Sequence, residues 1–250
     1  MNLMSEIRAT LLPGKILGFQ VGYSRTAVLA ETANGLSCGL AATLSNPEFE
    51  HCCHPSVQKA GHLLEMDVTE LTGLVDSDSF TEVAIGLAAI NALLPLNPDH
   101  WVDLKAEDYL LQHAANKNVA MVGHFPFIEK LKPNVKNLWV LELDPREGDY
   151  SADAAPEIIP QADLVAITAT TLINHTFEGL VKLCKPATKV MLLGPSTSLS
   201  PVLFEHGVDL LCGTIVVDPQ AVMLGISQGG SSHQLHWAGA IKMVTMEKGR

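Results

Sequence analysis

Polar and glycine residues gather in this chain where apolar runs end, and those positions carry most of the chemistry the sequence offers. Gly123-His124-Phe125-Pro126 closes one run, Glu142 a second, and Thr168 with Thr170, Thr171 and Asn174 a third. Gly194-Pro195-Ser196 closes a fourth and Asp218-Pro219 a fifth. If the runs are parallel strands of an open sheet, these residues sit at its carboxyl edge, where such sheets bind ligands. His124 is the imidazole at these ends and can serve as acid, base or metal ligand near neutral pH. Glu142 can share each of those roles, so His124 and Glu142 are the candidate catalytic pair and the candidate metal ligands. Thr170, Thr171 and Asn174, following Thr168 at the strand end, read as the opening of a helix, whose capping oxygens and free amides can hold a polar ligand. Gly123 and Gly194 let a ligand approach the backbone closely, with Phe125, Pro126, Pro195 and Ser196 as lining. No Lys or Arg stands at these ends, so an anion would meet amides and hydroxyls, and a cation would meet Glu142 and His124.

His51-Cys52-Cys53-His54 offers imidazole and thiolate, the groups that zinc and softer metals prefer. Its spacing is poor for a single ion, because paired zinc ligands normally stand two to four residues apart. Glu142 follows Gly123 by 19 residues, the distance at which nucleotide-binding sheets place a ribose-gripping carboxylate. The G-x-G-x-x-G turn that would cradle a pyrophosphate is missing, as are a G-x-S-x-G elbow, an H-E-x-x-H helix and a Walker lysine.

The elements that must position these residues change in kind along the chain. Short β-prone runs at 15–21, 26–32 and 36–43, separated by Gly22-Tyr23-Ser24 and Asn34-Gly35, predict an antiparallel meander. Helices are expected at 67–75 and 79–94, the second opened by a capping box of Ser79 and Glu82. Asn91 interrupts that apolar helix, and a buried amide needs partners, which makes it a further candidate for ligand contact. Pro95 and Pro98 end the helix and mark a linker. Beyond it, a helix at 104–116 leads into strands at 119–122, 138–141, 164–167, 190–193 and 210–217, with helical segments between most of them. Such alternation implies right-handed crossovers and a Rossmann-like parallel sheet. The expected architecture is α/β: a smaller α+β domain over 1–100 and a Rossmann-like domain over 101–250.

Composition narrows the function classes. With 250 residues, 47% of them hydrophobic, the chain can close a substantial core. Its 27 acidic residues against 16 Lys and Arg give a net charge of −11, which argues against nucleic-acid binding. The apolar stretch at 83–96 is short of a bilayer span, and the amino terminus has no secretory signal pattern. Five cysteines without a C-x-x-C spacing fit reduced thiols, so a cytoplasmic location is expected, with Cys184 and Cys212 read as core residues.

Taken together, Val122-Gly123-His124-Phe125-Pro126-Phe127, Glu142, Pro160-x-Ala162-Asp163, the 168–176 threonine segment, Gly194-Pro195-Ser196 and Gly207-Val208-Asp209 resemble the "putative heavy-metal chelation" domain family. That likeness covers about 105–235, and Gly86-Leu87-Ala88-Ala89-Ile90-Asn91-Ala92 resembles the small domain that precedes it in that family. The resemblance implies a Rossmann-like second domain, a first domain similar to the enolase amino-terminal fold, and a ligand cleft between them. It lends no support to His51-Cys52-Cys53-His54. The expected function is heavy-metal chelation or binding of a metal chelate in that cleft, with a heavy-metal ion as the candidate cofactor. The alternative is an enzyme acting on a small polar, heterocyclic or nucleoside-like molecule, with His124 or Glu142 as acid or base. The expected partner is a small molecule or metal chelate, with a homo-oligomer left open.

Overall fold

The structure, a computed structural model, describes residues 2–44, 56–102 and 104–249, so His51, Cys52, Cys53 and His54 lie outside the described residues. After α1 (Leu3–Arg8), the chain forms the expected meander of β1 (Gly14–Val21), β2 (Arg25–Thr32) and β3 (Gly35–Ala42). Next come α2 (Val68–Gly73) and α3 (Phe80–Leu93). The capping box expected at Ser79 forms only by half. Ser79 accepts the Glu82 amide at 3.4 Å, but the buried Glu82 carboxylate turns to the Gln58 amide at 2.8 Å and the Ser77 hydroxyl at 2.6 Å. Those two donors replace the box at that position. A complete box caps α2 instead, through Asp67 and Glu70.

The chain continues through β4 (Trp101–Val102), α4 (Ala106–His113), β5 (Asn118–Val122), α5 (Ile128–Leu131), β6 (Asn137–Glu142), β7 (Tyr150–Ser151), α6 (Ala155–Ile158) and β8 (Leu164–Thr168). It ends with α7 (Phe177–Lys182), β9 (Lys189–Leu193), α8 (Val202–Glu205), β10 (Leu210–Val216), α9 (Pro219–Ser227), α10 (Ser232–Trp237) and β11 (Ile241–Glu247). Among the described residues the strands make a three-stranded sheet in the order β1-β2-β3 and an eight-stranded sheet in the order β4-β11-β10-β9-β8-β5-β6-β7. Every pair from β7 through β10 is parallel, and β11 pairs β4 antiparallel. The fold is therefore mixed α/β, a mostly parallel sheet with a small antiparallel one at the amino terminus. Among the described residues no helix is long and apolar enough to cross a membrane.

Two compact units share the chain without a single cut. The first gathers Met1–Asn97, Pro195–Val202 and Gly213–Met243; the second gathers Pro98–Gly194, Leu203–Cys212 and Val244–Arg250. In the first unit, alternation along β3 decides which neighbour each residue meets. Gly39 faces α3 so closely that a Cβ would lie 2.1 Å from the Ala88 carbonyl oxygen and 2.2 Å from the Ala92 nitrogen. Cys38 and Leu40 point the other way and pack, with Ala27, against Val222, Ile226, Leu235, Ala240 and Ile241. Burial there pushes the Cys38 thiol up to about 12, so it stays a neutral apolar group. At the end of β3 the Ala42 amide donates to Ser196 Oγ at 2.7 Å.

The second unit packs around Val119, Met121, Val140, Leu164, Ala166, Met191, Leu193, Leu210 and Cys212 from its strands, with Tyr109, Leu110 and Ala114 at or beside α4. Burial pushes the Cys212 thiol up to about 11, as its apolar sequence context suggests, and the Cys184 thiol to about 11 although that residue is only half-buried.

Candidate functional site

Strand order fixes where the second unit can hold a ligand. From β5 the chain proceeds to β6 and β7 on one side, then returns to β8, β9 and β10 on the other. The order reverses between β5 and β8, and at such a switch point the flanking loops diverge and leave a crevice beyond the carboxyl ends of the strands.

The residues at that point are Gly123, directly after β5, and Thr168, the last residue of β8. Gly123 adopts φ 99° and donates its amide to the Leu141 carbonyl at 2.9 Å. A Cβ at Gly123 would stand 2.9 Å from Thr168 Cγ2, so glycine is required both by the left-handed backbone and by the neighbouring strand end. On the far side of β8, Gly194 follows β9 at φ 119° with nothing within 4 Å of where a Cβ would lie, which leaves its backbone open. Phe125 and Phe127 stack beyond Gly123, their ring centroids 5.5 Å apart.

The threonine segment is built differently from the helix expected of it. Residues Ala169–Leu172 make a single 3-10 turn, and α7 begins only at Phe177 after His175 at φ 60°. Local side-chain bonds compete here with helix formation. Thr168 and Thr170 hydroxyls lie 3.0 Å apart, and the Asn174 side-chain oxygen accepts the Thr176 hydroxyl at 2.7 Å. Thr171 is buried and donates to the Thr168 carbonyl at 2.6 Å, so its hydroxyl fixes the end of β8. Thr171→Val, which keeps the volume and removes that bond, is expected to lower stability by about 1 kcal/mol. The urea midpoint reads this directly, and an unchanged midpoint would mean the Thr168 carbonyl had found another donor.

His124 and Glu142 both stand at the carboxyl edge, but they do not pair. The carboxylate beside His124 belongs to Asp149, with Nε2 and Oδ1 3.9 Å apart, whereas Glu142 forms no ion pair among the described residues. Asp149 escaped the sequence reading because it lies in the β6–β7 loop and not at a strand end. The local signal is Arg146-Glu147-Gly148-Asp149, a reverse turn with Gly148 at φ 91° and the Asp149 amide donating to the Arg146 carbonyl at 2.9 Å. Because β7 pairs only with Leu141 and Glu142, at the end of β6, this loop returns to the carboxyl edge.

Two of the other expected ligand contacts lie in the first unit and are bonded within it. Asn91 donates to the Leu40 carbonyl at 2.9 Å and accepts the Ser198 hydroxyl at 2.7 Å, while Ser196 takes the Ala42 amide. Pro195 belongs to the same unit. Asn91 also borders a cavity of about 30 Å³ with Cys38, Thr197 and Thr214, room for one water-sized group. Among the described residues, no three His, Cys, Asp or Glu side chains are grouped closely enough to hold a metal ion by themselves.

Comparison with known proteins places this arrangement in a family. The chain is 27% identical to an uncharacterized protein of Methanocaldococcus jannaschii over 99% of its own length and 94% of that protein. The crystal structure of a DUF364 protein of unknown function from Desulfitobacterium hafniense DCB-2 superposes with a TM-score of 0.78 at 27% identity, covering 98% of this chain and 99% of that one. A second such crystal structure, from Pyrococcus horikoshii, gives a TM-score of 0.84 at 21% identity, with 98% of each chain covered. A family model, DUF4213, described as "Putative heavy-metal chelation", matches residues 6–94. The model that spans residues 105–245, DUF364, has the same description, and the chain therefore belongs to this "Putative heavy-metal chelation" family.

Proposed function

We propose that the protein binds heavy metal in the form of a chelate, a metal ion already wrapped by a small polar organic molecule, at the carboxyl edge of the second unit's sheet. The observation that carries this reading is the make-up of the β5–β8 crevice. It offers the open backbone of Gly194, the left-handed turn at Gly123, the half-buried hydroxyls of Thr168 and Thr170 and the amide of Asn174, with His124 and Glu142 as ionisable groups at the same carboxyl edge. Neutral hydroxyls and amides are poor partners for a bare soft metal but good ones for the oxygen and nitrogen atoms of an organic ligand. No three protein ligands are grouped together among the described residues, which favours a chelator as the source of the remaining coordination.

Calorimetric titration of the intact protein with Cu2+–citrate, Cu2+–histidine, citrate alone, histidine alone and Cu2+ alone tests this. At least one complex is expected to bind more tightly than its separate parts, and Gly123→Ala, which pushes a methyl group into Thr168, is expected to weaken that binding about tenfold. Bare Cu2+ binding as tightly as either complex, with no effect of Gly123→Ala, would overturn the reading. Cooperative unfolding of the variant serves as the check on its fold.

A further inference from the structure

The geometry of the β6–β7 loop points to His124 and Asp149 as a pair of protein ligands that bind the metal of the chelate directly, a role that rests on the chelate reading above. We infer this from how the two side chains are held. The Asp149 side chain is 7% exposed, and its Oδ2 accepts the Arg146 amide at 3.2 Å, which fixes the carboxylate within its own turn. Among the described residues its Oδ1 has no hydrogen bond, and it faces His124 Nε2 at 3.9 Å, beyond hydrogen-bond range. The carboxylate belongs to a side chain that is 7% exposed and held in one orientation, and the imidazole beside it makes no hydrogen bond to it at that separation. The His124 side chain is 32% exposed, so the gap between the two atoms opens to solvent on the imidazole side.

A metal ion fits that gap. Bonds of about 2.1 Å to an imidazole nitrogen and a carboxylate oxygen place the two ligand atoms about 3.0 Å apart at a tetragonal centre and about 3.4 Å apart at a tetrahedral one, so the observed pair would close by about 0.5–0.9 Å. A small side-chain rotation of the solvent-facing imidazole supplies that movement. The second contact of the carboxylate, to the Arg146 amide, is the kind of outer-shell bond that orients a metal ligand. With one neutral and one anionic ligand, the protein leaves the rest of a divalent ion's coordination sphere and charge to a chelator. Glu142 is then free to bond the organic part.

The test uses Cu2+–iminodiacetate, a complex with open coordination positions, and reads electron paramagnetic resonance together with affinity on the intact protein. Wild type is expected to bind one complex tightly with a nitrogen coupling from imidazole. His124→Ala is expected to abolish that coupling and weaken binding about tenfold or more, and Asp149→Asn to shift the spectrum and weaken binding while leaving the coupling. His233→Ala, a surface imidazole packed at a tilt against Trp237, controls for nonspecific coordination and is expected to change neither readout. If Gly123→Ala prevents binding but His124→Ala and Asp149→Asn leave spectrum and affinity intact, the ligand assignment falls and the chelate reading stands. If the imidazole coupling depends on His124 while Gly123→Ala has no effect on any complex, the crevice reading falls and the ligand pair stands. Absence of tight binding by the complex overturns the assignment.

Discussion

A chain ending at Asn97 is expected not to fold, although it contains the whole of the β1–β3 meander with α2 and α3. One face of that sheet, carried by Ala27, Cys38 and Leu40, is covered in the full chain by Val222, Ile226, Leu235, Ala240 and Ile241, all more than a hundred residues downstream. Burial of a large apolar side chain contributes roughly 1.5–3 kcal/mol, so losing this layer removes of the order of 10 kcal/mol. That is comparable with the entire stability of a typical domain, about 5–15 kcal/mol. The cut also strips the buried Ala42 amide of Ser196 and the Asn91 side-chain oxygen of Ser198. The amide proton spectrum of the 1–97 fragment is the readout: collapsed dispersion and no cooperative thermal transition are expected. A well-dispersed spectrum with a sharp transition would show that the meander and α3 suffice.

Gly39→Ala is the single substitution expected to do most damage. Its methyl group would meet the Ala88 carbonyl oxygen at 2.1 Å, the Ala92 nitrogen at 2.2 Å and the Asn91 carbonyl carbon at 2.7 Å, all of them main-chain atoms of one helix. No rotamer change relieves a clash with backbone, so α3 has to move off the sheet as a body. Overpacking of a close-packed interior costs about 1–3 kcal/mol where side chains can give way, and more is expected where they cannot. The denaturant midpoint should fall sharply with an unchanged slope. A variant as stable as wild type would mean that α3 and β3 are not held at this distance.

Much of the framework was legible because it is written in local pattern. Asn34-Gly35 marks the turn between β2 and β3, and the apolar runs ending at Val122, at Glu142 and before Gly194 mark β5, β6 and β9. The left-handed glycines after β5 and β9 were also legible, since a glycine directly after a buried strand has few reasons to be there other than backbone geometry. What stayed hidden depends on contacts distant in sequence. Nothing around Ser196 to Ser200 announces that these hydroxyl residues are buried in the first unit, because their partners, the Ala42 amide and Asn91, lie 154 and about a hundred residues away. The Glu82 carboxylate left its expected box for donors at Ser77 and Gln58 that a capping pattern does not include. Thr168 to Asn174 looked like a helix start because capping residues favour one, yet the same side chains bond each other and stop the helix after one turn. Asp149 was missed because it is a loop residue, and only the pairing of a two-residue strand, β7, with the end of β6 returns that loop to the carboxyl edge beside His124.

The most direct measurement of the chelate reading is native mass spectrometry, paired with elemental analysis, of the protein purified from its own cells without any metal-affinity step. The account predicts a folded protein carrying about one metal ion per chain together with an organic mass, both released together on unfolding and both absent from Gly123→Ala. A protein that carries a bare metal ion with no organic partner, and carries it equally well in Gly123→Ala, would contradict it.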